Sequence, residues 1–139
     1  MSSHFANNVY GHATPLSYSP SANSALTQNG SLPTKVVILI SERPEPKVSY
    51  IHVTNSKNNR IDNNDYAITG QNDREATVTL DNDKLTPGVY TVSWLTLSRD
   101  DGHITKGSYV LTIKSHRQLR LSPLIKIIIH SPINLQSIM

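Results

Sequence analysis

The sequence lacks cysteine altogether, and this absence excludes several kinds of site at once. Without cysteine there is no disulfide framework, no thiolate zinc site, no iron–sulfur cluster, no blue-copper ligation and no cysteine nucleophile. Any metal ligands must therefore come from histidine, the carboxylates or the backbone. With 139 residues, of which 37% are hydrophobic, the chain has enough apolar material for one domain with one modest core.

Long apolar runs and several familiar motifs are missing too. No stretch approaches the roughly 20 apolar residues that a membrane span needs, and the apolar core of a signal peptide is absent. We therefore expect either a protein that stays inside the cell or one whose export signal has been removed. The sequence has no P-loop and no dinucleotide fingerprint. It also lacks a G-x-S-x-G elbow, so a hydrolase triad of Ser98, Asp101 and His103 is not favoured.

The basic balance of the chain is confined to one end. The formal net charge is +3, which on its own would favour a nucleic-acid partner. Residues 1–113 contain nine basic side chains and all ten carboxylates, whereas residues 114–139 contain four basic side chains and no acid. Four spaced charges without interleaved aromatic residues are a weak signal for phosphate binding. We therefore expect no nucleic-acid partner.

The middle of the chain has the alternation and the turn chemistry of short β-strands. The continuous apolar run 36–40 is typical of a fully buried strand, and residues 47–54 alternate between two faces. Residues 89–98 form the clearest strand, and residues 103–113 are its expected return. Short strands with turns about every 8–12 residues predict an all-β fold, a Greek-key sandwich or small barrel. The strand spacing predicts core positions for three aromatic residues, Tyr90, Trp94 and Tyr109.

The two ends of the chain are less regular. Residues 1–35 are rich in small and polar residues, and we expect an irregular leader followed by an extended segment around residues 12–20. The apolar stretch 121–129 contains Pro123 and Lys126 and is too short to cross a bilayer. Its pattern is compatible with an added strand or with the stub of an anchor, and membrane anchoring is not evident.

Of the six histidines, only His103 lies in a densely patterned context. Asp101 and His103 flank Gly102, and in an extended backbone two such side chains point to the same side with Cα atoms about 6.5 Å apart. Gly102 lets the backbone bend so that both side chains reach one ion. A carboxylate oxygen and an imidazole nitrogen form half of a site that suits Cu(II), although zinc and nickel accept the same ligands. Without a metal, the motif is a structural turn whose carboxylate accepts backbone N–H groups.

The surroundings of this motif resemble a known family. The matching residues are residues 90–94, Ser98, Asp101, Gly102, His103 and Gly107, and upstream of them His12, Ala13, Pro15, Leu16, residues 36–42 and residues 87–90. Together they resemble the signature of the CopC copper-resistance family, and the similarity covers about residues 12–114.

The resemblance implies a cupredoxin-like or immunoglobulin-like β-barrel that binds Cu(II) outside the cytoplasm, in the periplasm or at the cell surface. In that family, an amino-terminal histidine binds Cu(II) through its imidazole and its free amine, together with the Asp and His of the Asp-Gly-His motif. In this chain the corresponding residues are His12, Asp101 and His103. Many members also bind Cu(I) in a methionine-rich loop. Here methionine occurs only at positions 1 and 139, so we expect no such Cu(I) site.

Two departures from the family pattern affect the expected site. Eleven residues precede His12, so this residue has a free amine only if the chain is cleaved after Gly11. The loop at residues 98–101 is one residue longer than the commonest family form, which makes Asp100 an alternative to Asp101. His52 lies within a predicted strand and is expected to be a packed or surface histidine.

We therefore expect an irregular leader at residues 1–11, a copper-binding domain at residues 12–114 and a basic and apolar tail at residues 115–139. The expected function is that of a non-enzymatic Cu(II) carrier or scavenger in copper homeostasis or resistance. Its expected partner is a membrane copper transporter or another copper-handling protein. One alternative is a structural or adhesive β-sandwich without metal, favoured if the natural chain begins at Met1. The other is histidine-brace copper oxidase chemistry, which needs processing at His12.

Overall fold

The computed structural model describes residues 12–28 and 30–115, which form eight β-strands in two sheets. The expected leader at residues 1–11 and the tail beyond Ser115 lie outside the described residues. The strands are β1 (Pro15–Ser19), β2 (Ala25–Thr27), β3 (Lys35–Ile40), β4 (Tyr50–Asn55), β5 (Ala67–Thr69), β6 (Glu75–Thr79), β7 (Gly88–Leu97) and β8 (Ile104–Lys114). Two short 3-10 turns precede β6 and β7.

The two sheets pack as a sandwich. The first sheet has the strand order β1-β3-β6-β5, and the second has the order β2-β8-β7-β4. All neighbouring strands are antiparallel except β2 and β8, which run parallel. The chain passes repeatedly from one sheet to the other, so the two sheets share one core. The predicted all-β sandwich is confirmed.

The core lies between the sheets, and β3, β4, β7 and β8 contribute alternate residues to it. The buried apolar side chains of the longer strands are Val36, Ile38 and Ile40 on β3, Ile51 and Val53 on β4, Ala76 and Val78 on β6, Tyr90, Val92 and Trp94 on β7, and Tyr109, Leu111 and Ile113 on β8. The burial of each large apolar side chain is worth about 1.5–3 kcal/mol. The three aromatic residues predicted as core residues are therefore confirmed in that role.

Three strands illustrate where the structure differs from the sequence-based expectation. β3 was expected to be buried on both faces, but Val37 and Leu39 are only half-buried because they face away from the second sheet. β4 begins at Tyr50, since the carbonyl oxygen of Glu45 accepts the backbone N–H groups of Val48 and Ser49 in a turn. β2 has only three residues, too few for an alternating pattern to be recognisable, and it adds to β8 as a parallel edge strand.

The element ends that surround the Asp-Gly-His motif meet at one end of the sandwich. In the first sheet, Pro15 at the start of β1 pairs with Ile40 at the end of β3. In the second sheet, Leu97 at the end of β7 pairs with Ile104 at the start of β8. The loop between β3 and β4 and the loop between β7 and β8 therefore project from this same end. Backbone hydrogen bonds join the two loops, from Glu45 to Leu97 and from Arg99 to Arg43.

Trp94 requires a glycine opposite it on β8. Trp94 pairs directly with Gly107, and a Cβ atom on Gly107 would lie 2.7 Å from Cζ2 of the indole ring. The Gly107→Ala substitution is therefore expected to displace Trp94 and lower the free energy of unfolding by about 1–3 kcal/mol. Urea unfolding followed by tryptophan fluorescence measures this loss.

Gly30→Ala is the matched control, because the nearest atom to its added Cβ would be 3.5 Å away, an ordinary contact. We expect this variant to change the free energy of unfolding by less than about 0.5 kcal/mol. Equal stability of the two variants would contradict the packing of Trp94 against Gly107.

Candidate metal centre

The loop between β7 and β8, residues 98–103, is organised around the buried side chain of Ser98. The Ser98 hydroxyl donates a hydrogen bond to Oε2 of Glu42 at 2.6 Å. The same oxygen accepts the backbone N–H groups of Asp100 at 3.2 Å and Asp101 at 3.3 Å. One buried hydroxyl thus fastens the loop to the segment that follows β3 and fixes the backbone that carries both aspartates.

The loop then closes through its own backbone. The N–H of Ser98 donates to the carbonyl of His103 at 2.9 Å, and the N–H of Gly102 donates to the carbonyl of Ser98 at 3.0 Å. Gly102 has a φ of +71°, in the left-handed region that favours glycine. The bend that the sequence predicted between Asp101 and His103 is therefore present.

The two carboxylate oxygens of Asp101 have different surroundings. Oδ1 accepts the backbone N–H of His103 at 3.0 Å, which is the structural turn considered as the metal-free alternative. Oδ2 is buried and makes no hydrogen bond, and the side chain as a whole is only 8% exposed. A buried polar atom without a partner is uncommon and calls for an explanation such as an ion.

Two imidazoles lie next to this unpaired oxygen. Oδ2 of Asp101 is 3.2 Å from Nδ1 of His103 and 3.8 Å from Nδ1 of His12. The two imidazole rings have centroids 4.4 Å apart and are inclined at 62°. Their side chains are 57% exposed for His12 and 59% exposed for His103. The cluster therefore has a buried carboxylate at its base and two imidazoles at its solvent side.

The spacing within this cluster fits a single ion. One ligand atom from each of His12, Asp101 and His103 lies within 4.8 Å of the others, and the described part of the chain contains no second group of this kind. Ligand atoms about 2.0–2.1 Å from a common ion stand about 2.9–4.2 Å apart. The two measured oxygen–nitrogen distances fall within this range.

The electrostatics of the loop favour a charged Asp101. The backbone N–H of His103 makes the largest contribution to lowering the pKa of Asp101, burial opposes it, and the neighbouring His103 ring also lowers it. The net shift lowers the pKa below its ordinary value. The carboxylate is therefore ionised at neutral pH, as a ligand for a cation must be.

Asp100 points away from the cluster. Its Oδ1 atom lies 2.8 Å from Nη2 of Arg43, which belongs to the loop between β3 and β4. A second ion pair joins the same two loops, with Nε of Arg99 3.7 Å from Oε2 of Glu45. Of the two aspartates that the sequence left open, the structure brings Asp101 and not Asp100 to the histidines.

His52 also lies apart from the cluster, on β4 in the second sheet. Its ring stacks on that of Tyr50 with centroids 4.3 Å apart. Burial is the main cause that lowers the pKa of His52, followed by the charge of Arg60. This environment matches the expected packed or surface histidine. The other three histidines, His4, His116 and His130, lie outside the described residues.

Sequence reasoning missed the residues that support the ligands. Ser41, Glu42 and Thr105 contact the ligand-bearing segments, and their partners lie between 27 and 92 positions away in the sequence. Each of these residues occurs at a strand end or in a strand with no local pattern of its own. Only the three-dimensional pairing of the sheets reveals their role.

Within the described ranges, no helix has the length and apolar character needed to cross a membrane.

Comparisons with known proteins agree with one another. The family model for the CopC domain matches residues 16–114. Protein YobA of Escherichia coli strain K12 is 34% identical over 106 residues, which cover 76% of this chain and 82% of that protein. Protein YobA of Shigella flexneri has the same identity and coverage.

A solved structure is similar as well, that of CopC from Methylosinus trichosporium OB3b. It superposes with a TM-score of 0.65 and 28% sequence identity over 76% of this chain and 96% of that one. The family match includes the loop with Asp101 and His103, whereas His12 lies four positions before the first matched residue, residue 16. The copper-related function that the resemblance implied is thus supported, and the chain belongs to the CopC domain family.

Proposed function

We propose that His12, Asp101 and His103 bind one Cu(II) ion, and that the protein is a carrier or scavenger of copper outside the cytoplasm. One observation carries this proposal above all others. Oδ2 of Asp101 is buried without a hydrogen bond and lies within 3.8 Å of an imidazole nitrogen from each histidine. A bound cation would supply the partner that this oxygen lacks and would use both imidazoles at the same time.

The types of ligand favour Cu(II) over Cu(I). Two imidazole nitrogens and one carboxylate oxygen suit a tetragonal Cu(II) centre, whereas Cu(I) is selected by soft thiolate and thioether ligands. The chain has no cysteine, and its two methionines are its first and last residues. A water molecule or a backbone group would complete the coordination. In a chain that begins at His12, the amine of that residue would add another nitrogen ligand.

The exposure of the two imidazoles suits a protein that takes up and releases an ion. Both side chains are more than half exposed, so an ion reaches the cluster directly from solvent. The loop, closed by its own hydrogen bonds, holds Asp101 and His103 in place. The proposed mechanism is therefore coordination without turnover by a domain spanning residues 12–114. Its proposed partner is a membrane copper transporter or another copper-handling protein.

Replacement of His103 tests the proposed site. We expect the full chain to bind one equivalent of Cu(II) with nitrogen hyperfine structure in its electron paramagnetic resonance spectrum. His103→Ala removes one imidazole ligand, so the affinity should fall by at least about tenfold and the spectrum should change. His52→Gln is the matched control, since this histidine lies outside the cluster. This substitution should leave the Cu(II) affinity and the spectrum unchanged. A spectrum unaffected by His103→Ala would refute the assignment.

The two neighbouring aspartates provide a second test at the same site. Asp101→Asn preserves the shape of the side chain but removes the buried charge, so Cu(II) affinity should fall by at least about tenfold. Asp100→Asn breaks an ion pair with Arg43 outside the cluster and should change the affinity by less than about twofold, because such exposed pairs are weak. Isothermal titration of the two variants makes the comparison. A larger loss of affinity in Asp100→Asn than in Asp101→Asn would show that Asp101 is not the ligand.

A further inference from the structure

His12 is brought to the metal centre by a short segment, residues 12–14, that precedes β1 and that we call the His12 arm. The side chain of His12 is 57% exposed, so its own packing does little to place it. Ala13, by contrast, is 0% exposed and belongs to the core. The position of the imidazole therefore depends on how the backbone of the arm is held.

Thr105 fastens the arm to the second sheet. Its hydroxyl donates a hydrogen bond to the carbonyl oxygen of Ala13, across 92 positions of sequence. Thr105 is the second residue of β8 and lies two positions after His103, the last residue of the loop, a spacing that in extended backbone places two side chains on the same side. One ligand and the anchor of another ligand are thus carried by neighbouring positions of the same segment.

Ser41 fastens the arm to the first sheet. The backbone N–H of Ser41 donates to the carbonyl of Thr14 at 2.9 Å. The N–H of Thr14 in turn donates to the Ser41 hydroxyl oxygen at 3.0 Å, and that hydroxyl donates to the carbonyl of His12 at 3.3 Å. The arm is therefore held from both sheets: Thr105 binds the carbonyl of Ala13, and Ser41 binds His12 and Thr14 on either side of it.

We propose that Thr105 and Ser41 are positioning residues of the metal centre, which fix the His12 arm before any ion binds. This inference rests on the proposed copper function. Ordering a free segment costs conformational entropy, and a site whose arm is already fixed avoids that cost when the ion binds. Loss of the Thr105 hydroxyl should therefore weaken copper binding through His12 and leave the contributions of Asp101 and His103 in place.

The experiment is a double-mutant cycle in the full chain, with Cu(II) affinity as the readout. Thr105→Val removes the hydroxyl at constant shape, and the affinity should fall by about 2–10-fold, the range expected for one hydrogen bond. Thr105→Ser keeps a hydroxyl and should bind Cu(II) with the affinity of the unmodified chain. In a His12→Ala background, Thr105→Val should have no further effect, because the ligand through which it acts is gone. Thr91→Val, on β7, is the control and should bind copper normally.

Two outcomes of the cycle would overturn the proposal. In the first, Thr105→Val leaves the affinity unchanged. In the second, it lowers the affinity equally with and without His12, and the hydroxyl then supports only the general fold. Failure of the copper function itself would look different, since the unmodified chain would then bind no stoichiometric Cu(II).

A measurement without metal tests the arm separately. In the metal-free protein, nuclear Overhauser contacts between the His12 and His103 rings report their 4.4 Å separation. We expect Thr105→Val to weaken these contacts and Thr105→Ser to retain them. Contacts that persist at full strength in Thr105→Val would show that Thr105 does not place the arm.

Discussion

A buried carboxylate oxygen, Oδ2 of Asp101, sits at the base of the candidate centre beside the two imidazoles, and the surrounding structure is arranged to keep it there. Oδ1 of Asp101 accepts the N–H of His103, which orients the carboxylate and leaves Oδ2 directed towards the two imidazoles. The same N–H lowers the pKa of Asp101, so the unpaired oxygen carries charge at neutral pH. An arrangement of this kind is costly when empty and favourable when a cation is bound.

The sandwich supports that oxygen through contacts between distant segments. The buried Ser98 joins the loop of residues 98–103 to Glu42, and it does so at the end of the fold where β3 and β7 finish and β8 begins. Ion pairs between Arg43 and Asp100 and between Arg99 and Glu45 hold the same loops from the outside. Asp100 and Asp101 are adjacent, yet one serves the scaffold and the other faces the histidines.

The sequence predicted some of these features and could not predict others. The spacing of Asp101 and His103 around a glycine was sufficient to indicate half of a metal site, because i and i+2 side chains of extended backbone share a side. His12 entered only through the family resemblance, since nothing local marks a histidine 89 positions away as a partner. Apolar runs and alternation predicted β3, β4, β7 and β8, whereas the three-residue strand β2 depends on its pairing with β8 and has no detectable pattern of its own. The choice between the two aspartates required the Arg43 contact, which is a tertiary interaction.

In the proposed centre, one Cu(II) ion is held by the two imidazoles and the one carboxylate that the fold brings together. Pulsed electron paramagnetic resonance on the copper-loaded full chain, with histidine labelled with nitrogen-15, counts the coordinated imidazoles directly. We expect two coordinated imidazoles, reduced to one by either His12→Ala or His103→Ala. A count that stays at two in both variants, or a loaded protein with no coordinated imidazole, would contradict the proposed centre.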